Sequence, residues 1–387
     1  MANFTHIMAT RPDFDTSDKE WLHQLVADWQ VIADLCFSDL LLILQRGDGK
    51  YVIAEQCRPS TAITTRSEDV VDNTVSDDVV SEIEVAMSGT EVYRSKKLRT
   101  VGKNVICNVY APIRHNKKTL GLVVRETNMT TRESIGRYES ESINAGKHLF
   151  EMIPLGKFPY KDSIINHQRH NARVADGFIV LGKEGNIEYS SPNAVSCFRR
   201  LGSLSNMQGK YLSVIGTSVI HRTSGVQESL PLLLTGKAAV DAELEENHTV
   251  VLMRSLPFYN KKERCGAIVL CRDVTEIRRR ERDLQVKDAT ISEIHHRVKN
   301  NLQAVSALLR LQARKTKSIE VKKELHEAQR RVQTIAMVHE SLSQIADETV
   351  DFDKLVPNLL RMCVDLAVQH GQEIQLKFIG SFGNMPA

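Results

Sequence analysis

The sequence has 387 residues, of which 42% are hydrophobic and 26% are charged, and its formal net charge is +3. This length allows two or three domains with separate cores, and the composition is typical of a soluble globular protein. The small net charge gives no reason to expect direct binding to nucleic acid.

Seven cysteines are scattered along the chain without any Cys-x-x-Cys pair. This pattern predicts neither a disulfide framework nor a metal site, and it indicates a reducing compartment. No signal peptide is visible at the N-terminus, and no apolar run approaches the roughly 18–20 residues needed to span a bilayer. We therefore expect a cytoplasmic protein that does not enter a membrane.

The first 155 residues alternate helices with pairs of strands. Apolar residues at a three-to-four spacing predict the helices, and short apolar runs around turn residues such as those at 46–50 predict the strands. The predicted order is a helix over 18–37, strands over 40–45 and 51–55, a helix over 78–87, strands over 104–113 and 119–126, and a helix over 132–153. This order predicts an α/β module with an antiparallel sheet, and no ligand motif is recognisable in it.

The next segment predicts a second antiparallel sheet. A linker at 154–159 and a polar helix over 161–175 precede two strands that a Gly-rich turn joins. Ser191 and Pro192 then predict a helix start, because serine caps a helix N-terminus and proline is favoured in its first turn. Further strands are predicted over 239–245, 250–258 and 266–272, and the segment closes with Asp273, Thr275 and Glu276.

Two cysteines and two histidines of this segment are candidate reactive groups. Cys265 and Cys271 lie six residues apart on one predicted strand, so we expect both to face the same way, as core residues. His221 and His248 are of the residue type that binds metal or haem. We expect both to be loop or surface residues instead, because no haem or flavin signature surrounds them.

A pair of helices predicted over 277–312 and 321–343 is the most informative part of the sequence. Ile291, Val298 and Val305 occupy heptad position a of the first helix. The second helix carries its own apolar stripe, formed by Val321, Leu325, Ala328, Val332, Ile335, Val338 and Leu342. A single helical hairpin cannot bury both stripes, so we expect two chains to form a four-helix bundle.

The helical segment is also basic, with 15 Lys or Arg and 8 Asp or Glu over 276–331. This excess is either solvated helix surface or a docking face for acidic partners or nucleotide phosphate. A DNA-reading basic zipper is rejected, because the basic residues interrupt no clean zipper and the motif around the two histidines lies within the coiled segment.

His296 falls at heptad position f, opposite the seam, whereas His295 falls at position e, beside it. An exposed neutral imidazole is a good nucleophile near neutral pH, because its ordinary pKa is about 6.5. Glu293 and Asn300 lie one turn away on the same face, so the carboxylate can hold one ring N–H while the amide orients a phosphoryl group. A histidine pair on a charged helix is also common as plain solvated surface, so the surrounding residues decide.

The string Glu-Ile-His-His-Arg-Val-Lys-Asn-Asn-Leu-Gln at 293–303 resembles the phosphoacceptor motif of sensor histidine kinases, in the subfamily with His-Arg-x-x-Asn. The resemblance implies that His296, directly before Arg297, is phosphorylated, with His295 as the alternative acceptor. Arg297 and Lys299 are expected to help neutralise the incoming phosphoryl charge.

The other segments resemble parts of the same family. Residues 1–155 resemble a GAF-type sensor domain, and residues 156–275 resemble a PAS domain whose Asp-x-Thr-Glu exit couples a sheet to an output helix. The resemblance predicts a multidomain α+β chain in which both sensor domains have antiparallel sheets with helices. A dimerisation and histidine phosphotransfer hairpin follows over 276–348, and an ATPase lobe begins over 349–387, with a helix over 355–369 and a strand over 373–379.

By this resemblance the protein is a cytosolic sensor kinase of a two-component system. Mg-ATP would phosphorylate the histidine of a homodimer, and the phosphoryl group would pass to an aspartate of a response regulator, which in kinases of this domain order often carries an RNA-binding antitermination domain. The motifs that hold Mg-ATP are not recognisable before Ala387. We therefore expect this chain alone neither to bind ATP tightly nor to phosphorylate itself, and no sensory ligand is identified.

Two alternatives to an active kinase remain at this point. The chain can be a non-enzymatic dimeric sensor and phosphotransfer module that another subunit phosphorylates in trans. It can also be a scaffold in which His296 is idle.

Overall fold

The computed structural model describes most of the chain up to residue 343 and short pieces beyond it. The described residues are 2–9, 11, 13–130, 136–160, 171–203, 206–219, 229–261, 263–343, 349–351, 357, 360, 364, 380 and 384–386. The chain forms two compact units, Met1–Glu276 and Ile277–Ala387. Both predicted sheets belong to the first unit.

The first half of this unit is a five-stranded antiparallel sheet with helices. Its elements are α1 Ala2–Ala9, α2 Thr16–Asp28, α3 Gln30–Cys36, β1 Asp39–Gln45, β2 Tyr51–Cys57, α4 Asp77–Ser88, β3 Tyr93–Val101, β4 Asn104–His115, β5 Lys118–Asn128 and α5 Arg137–Met152. The strand order is β2-β1-β5-β4-β3, and every neighbouring pair is antiparallel. The predicted antiparallel module is therefore confirmed.

Three details of this half differ from the prediction. Helix α1 is additional to the predicted elements. The helix predicted over 18–37 is two helices that meet at Trp29, and α3 ends at Phe37 in left-handed backbone with a φ of 51°. Strand β3 is present in the structure but is not predicted from the sequence, because four of its nine residues are Arg or Lys. As an edge strand it has a sheet neighbour on one side only, and charged residues are typical of such edges.

The second half of the unit is another five-stranded antiparallel sheet. After a 3₁₀ turn at Val174–Asp176, its elements are β6 Phe178–Leu181, β7 Ile187–Ser190, α6 Pro192–Arg200, α7 Leu212–Val219, α8 Leu230–Leu234, β8 Val240–Glu246, β9 Thr249–Asn260 and β10 Glu263–Asp273. The strand order is β7-β6-β10-β9-β8. Ser191 caps α6 as predicted, since its hydroxyl accepts a hydrogen bond from the Ala194 N–H, while α7 and α8 are additional helices.

Helices α2, α3 and α5 share one hydrophobic core with strands of both sheets. Its buried members include Leu22, Leu35 and Phe150 from the helices, Leu42 and Val123 from the first sheet, and Phe178, Leu256 and Phe258 from the second. Helices α3 and α5 approach closely at Gly146, where a Cβ atom would come within 2.6 Å of Cys36 Sγ and 2.8 Å of Leu35 Cβ. The absent side chain is therefore what lets these two helices meet.

A buried ion pair also joins α2 to the second sheet. Arg254 Nη2 of β9 donates to Asp28 Oδ1 at 2.6 Å, and both side chains are at least nine-tenths buried. Nearby, the Tyr160 hydroxyl donates to the Pro257 carbonyl oxygen at 2.8 Å. Removing one partner of a buried charged pair leaves an uncompensated charge, so these contacts oppose separation of the two sheets.

The prediction that Cys265 and Cys271 face the same way is wrong. Cys271 is fully buried, whereas Cys265 is exposed. The register of β10 against β9 shifts between Arg264 and Gly266, so Cys265 is the extra residue of a β-bulge. A bulge breaks the two-residue alternation of side chains, and this reverses the side on which Cys265 lies.

The second unit is built on two helices, α9 Thr275–Lys315 and α10 Ile319–Ser343. The loop between them is therefore shorter than the predicted loop over 313–320. Farther on, β11 Thr349–Asp351 pairs with β12 Asn384–Pro386. None of the helices in the described ranges combines the length and apolar character of a membrane-spanning segment.

Several predicted features lie wholly or mostly outside the described residues. They are the polar helix over 161–175, His221, the helix over 355–369 and the strand over 373–379. His248 is described and lies exposed in the β8–β9 turn with a φ of 59°, which agrees with its prediction as a surface residue.

Asp18 fixes the start of α2 against the β4–β5 hairpin. Its side chain is fully buried, Oδ1 lies 2.9 Å from His115 Nδ1, and Oδ2 lies 3.4 Å from Lys118 Nζ. Asp15 and Asp18 also form a capping box, in which each side chain accepts from the other's backbone N–H. Burial raises the pKa of the Asp18 carboxyl, but the hydrogen bonds from His115, Asp15 and Lys118 lower it more, so the pKa lies below its ordinary value.

Asp18→Asn should therefore destabilise the first unit by roughly 2–4 kcal/mol near neutral pH, because a buried charge partner is lost. A folded-state pKa below the unfolded value means that this stabilisation is complete above about pH 4 and is lost as the pH falls through the folded-state pKa. Urea unfolding of both proteins at several pH values tests this expectation.

The matched control for this experiment is Asp78→Asn, which breaks an exposed ion pair with Arg99. Exposed ion pairs contribute little to stability, so this control should unfold at nearly the same urea concentration as the parent. Equal unfolding midpoints for Asp18→Asn and the parent at pH 7 would contradict the role given to Asp18.

Candidate functional site

Helix α9 has one buried side and several exposed ones. Ser306 and Ala313 are its buried residues, and His295, Leu302 and Leu309 are half-buried. These positions recur every three or four residues, so they form one face of the helix. The small side chains of Ser306 and Ala313 lie at the centre of that face.

His296 and His295 have different surroundings. His296 is exposed, as its predicted f position requires. His295 is half-buried, and its Nδ1 lies 3.3 Å from Nε2 of His339 on α10, with the two rings tilted by 56°. His295 is therefore engaged within the helical hairpin, whereas His296 is open to another molecule.

Glu293 has a different partner from the predicted one. Its carboxylate accepts a hydrogen bond from Arg297 Nε at 2.7 Å, one turn along the same helix. This bond and the positive charge of Arg297 lower the pKa of the Glu293 carboxyl, with a smaller contribution from His296. The expectation that Glu293 holds the His296 ring is therefore corrected, because a guanidinium at i+4 offers a charge-assisted hydrogen bond that the ring cannot match.

The other predicted site residues differ in their exposure. Asn300 is exposed, and Lys299 is half-buried. Lys299 lies at the rim of a groove of about 500 Å³ between α9 and α10, lined by Lys299, Leu302, Gln303, Ser306, Arg310, Gln333 and Ala336. Gln303 and Arg310 follow His296 at intervals of seven residues, about two helical turns each, so this groove opens on the same side of α9 as His296.

Sequence reasoning did not identify His339 or the groove as parts of the site. His339 lies seven residues after Val332, so the heptad period places it on the same helix face as the predicted stripe of α10. Its contact with His295 could not be predicted, because the pairing of two helices separated in sequence depends on their packing. His339 Nδ1 is buried and has no hydrogen-bond partner among the described residues.

A third side of α9 is apolar and exposed in the single chain. The exposed fractions are 53% for Ile294, 44% for Val305 and 59% for Leu308, and Ile291 is similar at 52%. Val305 follows His296 by nine residues, about two and a half turns, so it lies on the opposite side of the helix. An apolar stripe left in water on a long helix is typical of a surface that another helix covers.

Comparison with known families matches both parts of the chain. The family described as the GAF domain of the histidine kinase PdtaS matches residues 4–145, and a histidine kinase family matches residues 293–367. The second match begins at Glu293 and contains both candidate histidines. The fold and this site together define the class as a sensor histidine kinase.

Relatives of known identity give the particular family. The chain is 34% identical over 393 residues to the sensor histidine kinase PdtaS of Mycolicibacterium smegmatis, covering 100% of this chain and 78% of that protein. It is likewise 34% identical over 394 residues to PdtaS of Mycobacterium tuberculosis, covering 99% of this chain and 78% of the relative. The chain belongs to the PdtaS family of sensor histidine kinases.

A solved structure also resembles the first part of the chain. It is described as the sensor region of a sensor histidine kinase, and it is 28% identical with a TM-score of 0.61. The similarity covers 71% of this chain and 99% of that structure. The two-sheet architecture is therefore shared with a sensor region of the same class of protein.

Proposed function

We propose that this sensor kinase is phosphorylated on His296 and passes the phosphoryl group to an aspartate of a response regulator. One observation supports this most: His296 is the exposed member of the histidine pair, while His295 is held against His339. An acceptor must be reached in turn by an ATP-bearing domain and by a regulator. An exposed side chain meets that requirement.

The proposed chemistry uses an unprotonated ring nitrogen of His296 as the nucleophile. This nitrogen attacks the γ-phosphorus of Mg-ATP, a P–N bond forms, and the bond from phosphorus to the bridging oxygen breaks, so that its electron pair leaves with ADP. The remaining ring N–H can release its proton to solvent. In the second step an aspartate oxygen of the regulator attacks phosphorus, the P–N bond breaks, and the ring takes up a proton from solvent to restore the neutral imidazole.

The neighbouring residues supply charge and orientation in this proposal. Arg297 and Lys299 place two positive charges within one turn of His296, which favours the approach of a phosphoryl group. Asn300 is exposed one turn farther on, where its amide can donate to a phosphoryl oxygen. Glu293 acts mainly through Arg297, because their ion pair sets the position of the guanidinium.

The exposed stripe of α9 supports a homodimer. Ile294, Val305 and Leu308 lie on the side of α9 opposite His296 and have no apolar cover within the described part of the chain. Pairing two hairpins through these stripes removes them from water and leaves both His296 side chains outside the bundle. The resulting four-helix bundle is the dimer that the sequence predicts.

The groove between α9 and α10 is the proposed docking surface for the regulator. Lys299 and Arg310 line it, and Gln303 adds an amide next to the side on which His296 lies. A basic, polar groove suits the acidic surface that surrounds a phosphorylatable aspartate. We further propose that the second sheet, over 156–275, is a PAS domain, that the protein acts in the cytoplasm, and that its regulator carries an RNA-binding antitermination domain.

The acceptor assignment predicts different outcomes for the two histidines. Phosphorylation of the chain in trans by a complete kinase of this family should label the parent and His295→Gln, and His296→Gln should abolish the acid-labile label. The reason is that His296 is exposed, whereas His295 is held against His339. Label that persists in His296→Gln and disappears from His295→Gln would reverse the assignment, and label in both variants would place the acceptor elsewhere.

Glu293→Gln should slow phosphorylation about tenfold without unfolding the helices, because Arg297 loses the carboxylate that positions it. Single-turnover transfer and circular dichroism at 222 nm measure the two effects. Glu327→Gln is the matched control, since it breaks the equivalent pair with Arg331 on α10. Equal slowing by both variants would show that loss of negative charge alone accounts for the effect.

Val305→Asp combined with Leu308→Asp should convert the dimer to a monomer. Burying these charges in the seam would raise the free energy of association by several kcal/mol. Light scattering coupled to gel filtration measures the mass. Gln303→Asp is the control and should remain dimeric, because Gln303 is exposed and follows His296 by two helical turns, on the side of α9 opposite the stripe. A monomeric parent chain would remove the dimer proposal altogether.

A further inference from the structure

A cleft in the first unit lies outside the phosphotransfer helices and carries excess positive charge. Its larger chamber, of about 650 Å³, lies between the β4–β5 turn, the turn after α5 and the tip of the β9–β10 hairpin. A smaller chamber of about 340 Å³ adjoins it. The two chambers share a wall formed by Thr90, Glu91, Pro154, Leu155 and Lys261.

The cations of the larger chamber are unpaired. Arg114, Lys117 and Lys261 line it, and none of them has a hydrogen bond or an ion pair from its side chain to any described residue. Glu91 is the single carboxylate among the lining residues. Several like charges around a concave surface repel one another and concentrate a positive potential, which attracts anions.

Both lysines among these three cations have left-handed backbone. Lys117 has a φ of 67° and Lys261 a φ of 54°, in the left-handed region that glycine and asparagine adopt most easily. Each lysine forms part of a hairpin turn where glycine would be less strained. At the β4–β5 turn the two central residues, Asn116 and Lys117, both have positive φ, as a two-residue hairpin turn requires. Both lysines therefore lie at turn tips that border the same cleft.

Two ring nitrogens, one from His115 and one from Trp21, add hydrogen-bonding capacity at the same place. His115 Nδ1 is hydrogen-bonded to the buried carboxylate of Asp18. The His115 ring is stacked on Trp21, with 4.8 Å between the ring centroids. This leaves Nε2 as the imidazole nitrogen available to a ligand. Trp21 is 95% buried and lines the chamber, and its Nε1–H has no acceptor among the described residues. A buried donor without a partner is uncommon in native structures.

The smaller chamber has a different character. Val92, Leu155 and Tyr259 supply apolar and aromatic surface, and Lys157 lies over the Tyr259 ring at 5.7 Å. Arg94 and Glu151 both line this chamber, so its charge is nearly balanced. It therefore suits an apolar group attached to an anionic head in the larger chamber.

We propose that this cleft binds a small organic anion, with a phosphate or carboxylate head held by Arg114, Lys117 and Lys261 and an apolar body in the smaller chamber. Such a ligand contacts both sheets of the unit at once. The site is distinct from His296 and does not depend on the phosphotransfer chemistry.

Calorimetric titration of the whole 387-residue chain with hexyl phosphate, hexanoate, methyl phosphate and hexyl glucoside tests the proposal. At least one hexyl anion should bind saturably, and the neutral glucoside should not. The better of the phosphate and carboxylate probes identifies the head group. Hexyl phosphate should bind roughly tenfold more tightly than methyl phosphate, because burying several methylene groups contributes to affinity. Equal binding of the glucoside, or no saturable binding of either hexyl anion, would overturn the proposal.

The variant Lys117→Gln/Lys261→Gln should weaken binding of the anion by roughly 10- to 100-fold, since two charge-assisted contacts are lost. Lys103→Gln is the matched control, because Lys103 is an exposed lysine in the β3–β4 turn and lies outside the cleft. It should bind as the parent does. Equal weakening by the control would mean that general charge, rather than the cleft, holds the anion, and the proposal would fail.

Discussion

The first unit depends on a helix layer that is buried from two sides. Helices α2, α3 and α5 contribute to one hydrophobic core with residues of both sheets, so neither sheet can leave without exposing apolar surface. The pair between Asp28 and Arg254 strengthens this constraint, because each charge is desolvated and needs the other. The two sheets therefore form one mechanical body, although each has the strand order of a self-contained module.

Side-chain hydrogen bonds fix the turn that joins β10 to α9. Asp273 Oδ1 accepts hydrogen bonds from the Thr275 N–H and the Thr275 hydroxyl, at 3.0 and 2.5 Å. The Thr275 hydroxyl oxygen in turn accepts from the Val250 N–H of β9 at 2.9 Å. Arg200 of α6 pairs with the other oxygen of Asp273 at 2.7 Å. The first residue of α9 is thus hydrogen-bonded to β9 and β10, and α6 is attached to the same turn through Asp273.

Most of this arrangement could be predicted from local patterns, and the errors arose where distant parts of the chain decide. Ser191 capped its helix and His296 was exposed because hydrogen bonding and helical period act over a few residues. Glu293 had two candidate partners within one turn, and the sequence could not rank a histidine against Arg297. The predicted orientation of Cys265 was wrong because a bulge depends on the register between two strands. The alternation of side chains within one strand does not reveal that register. The contact between His295 and His339 and the cationic cleft arise from tertiary packing, so local sequence patterns could not predict them.

The bulge at Cys265 has a practical consequence for spectroscopy. Among the cysteines that the structure describes, Cys265 alone is exposed, and the others are buried or half-buried. Partial burial raises the pKa of its thiol, so the thiolate needed for alkylation becomes abundant only in alkaline solution. Among these described cysteines, a maleimide dye or a nitroxide spin label applied under those conditions should attach first at Cys265. The natural sequence thus carries a reporter position on the second sheet.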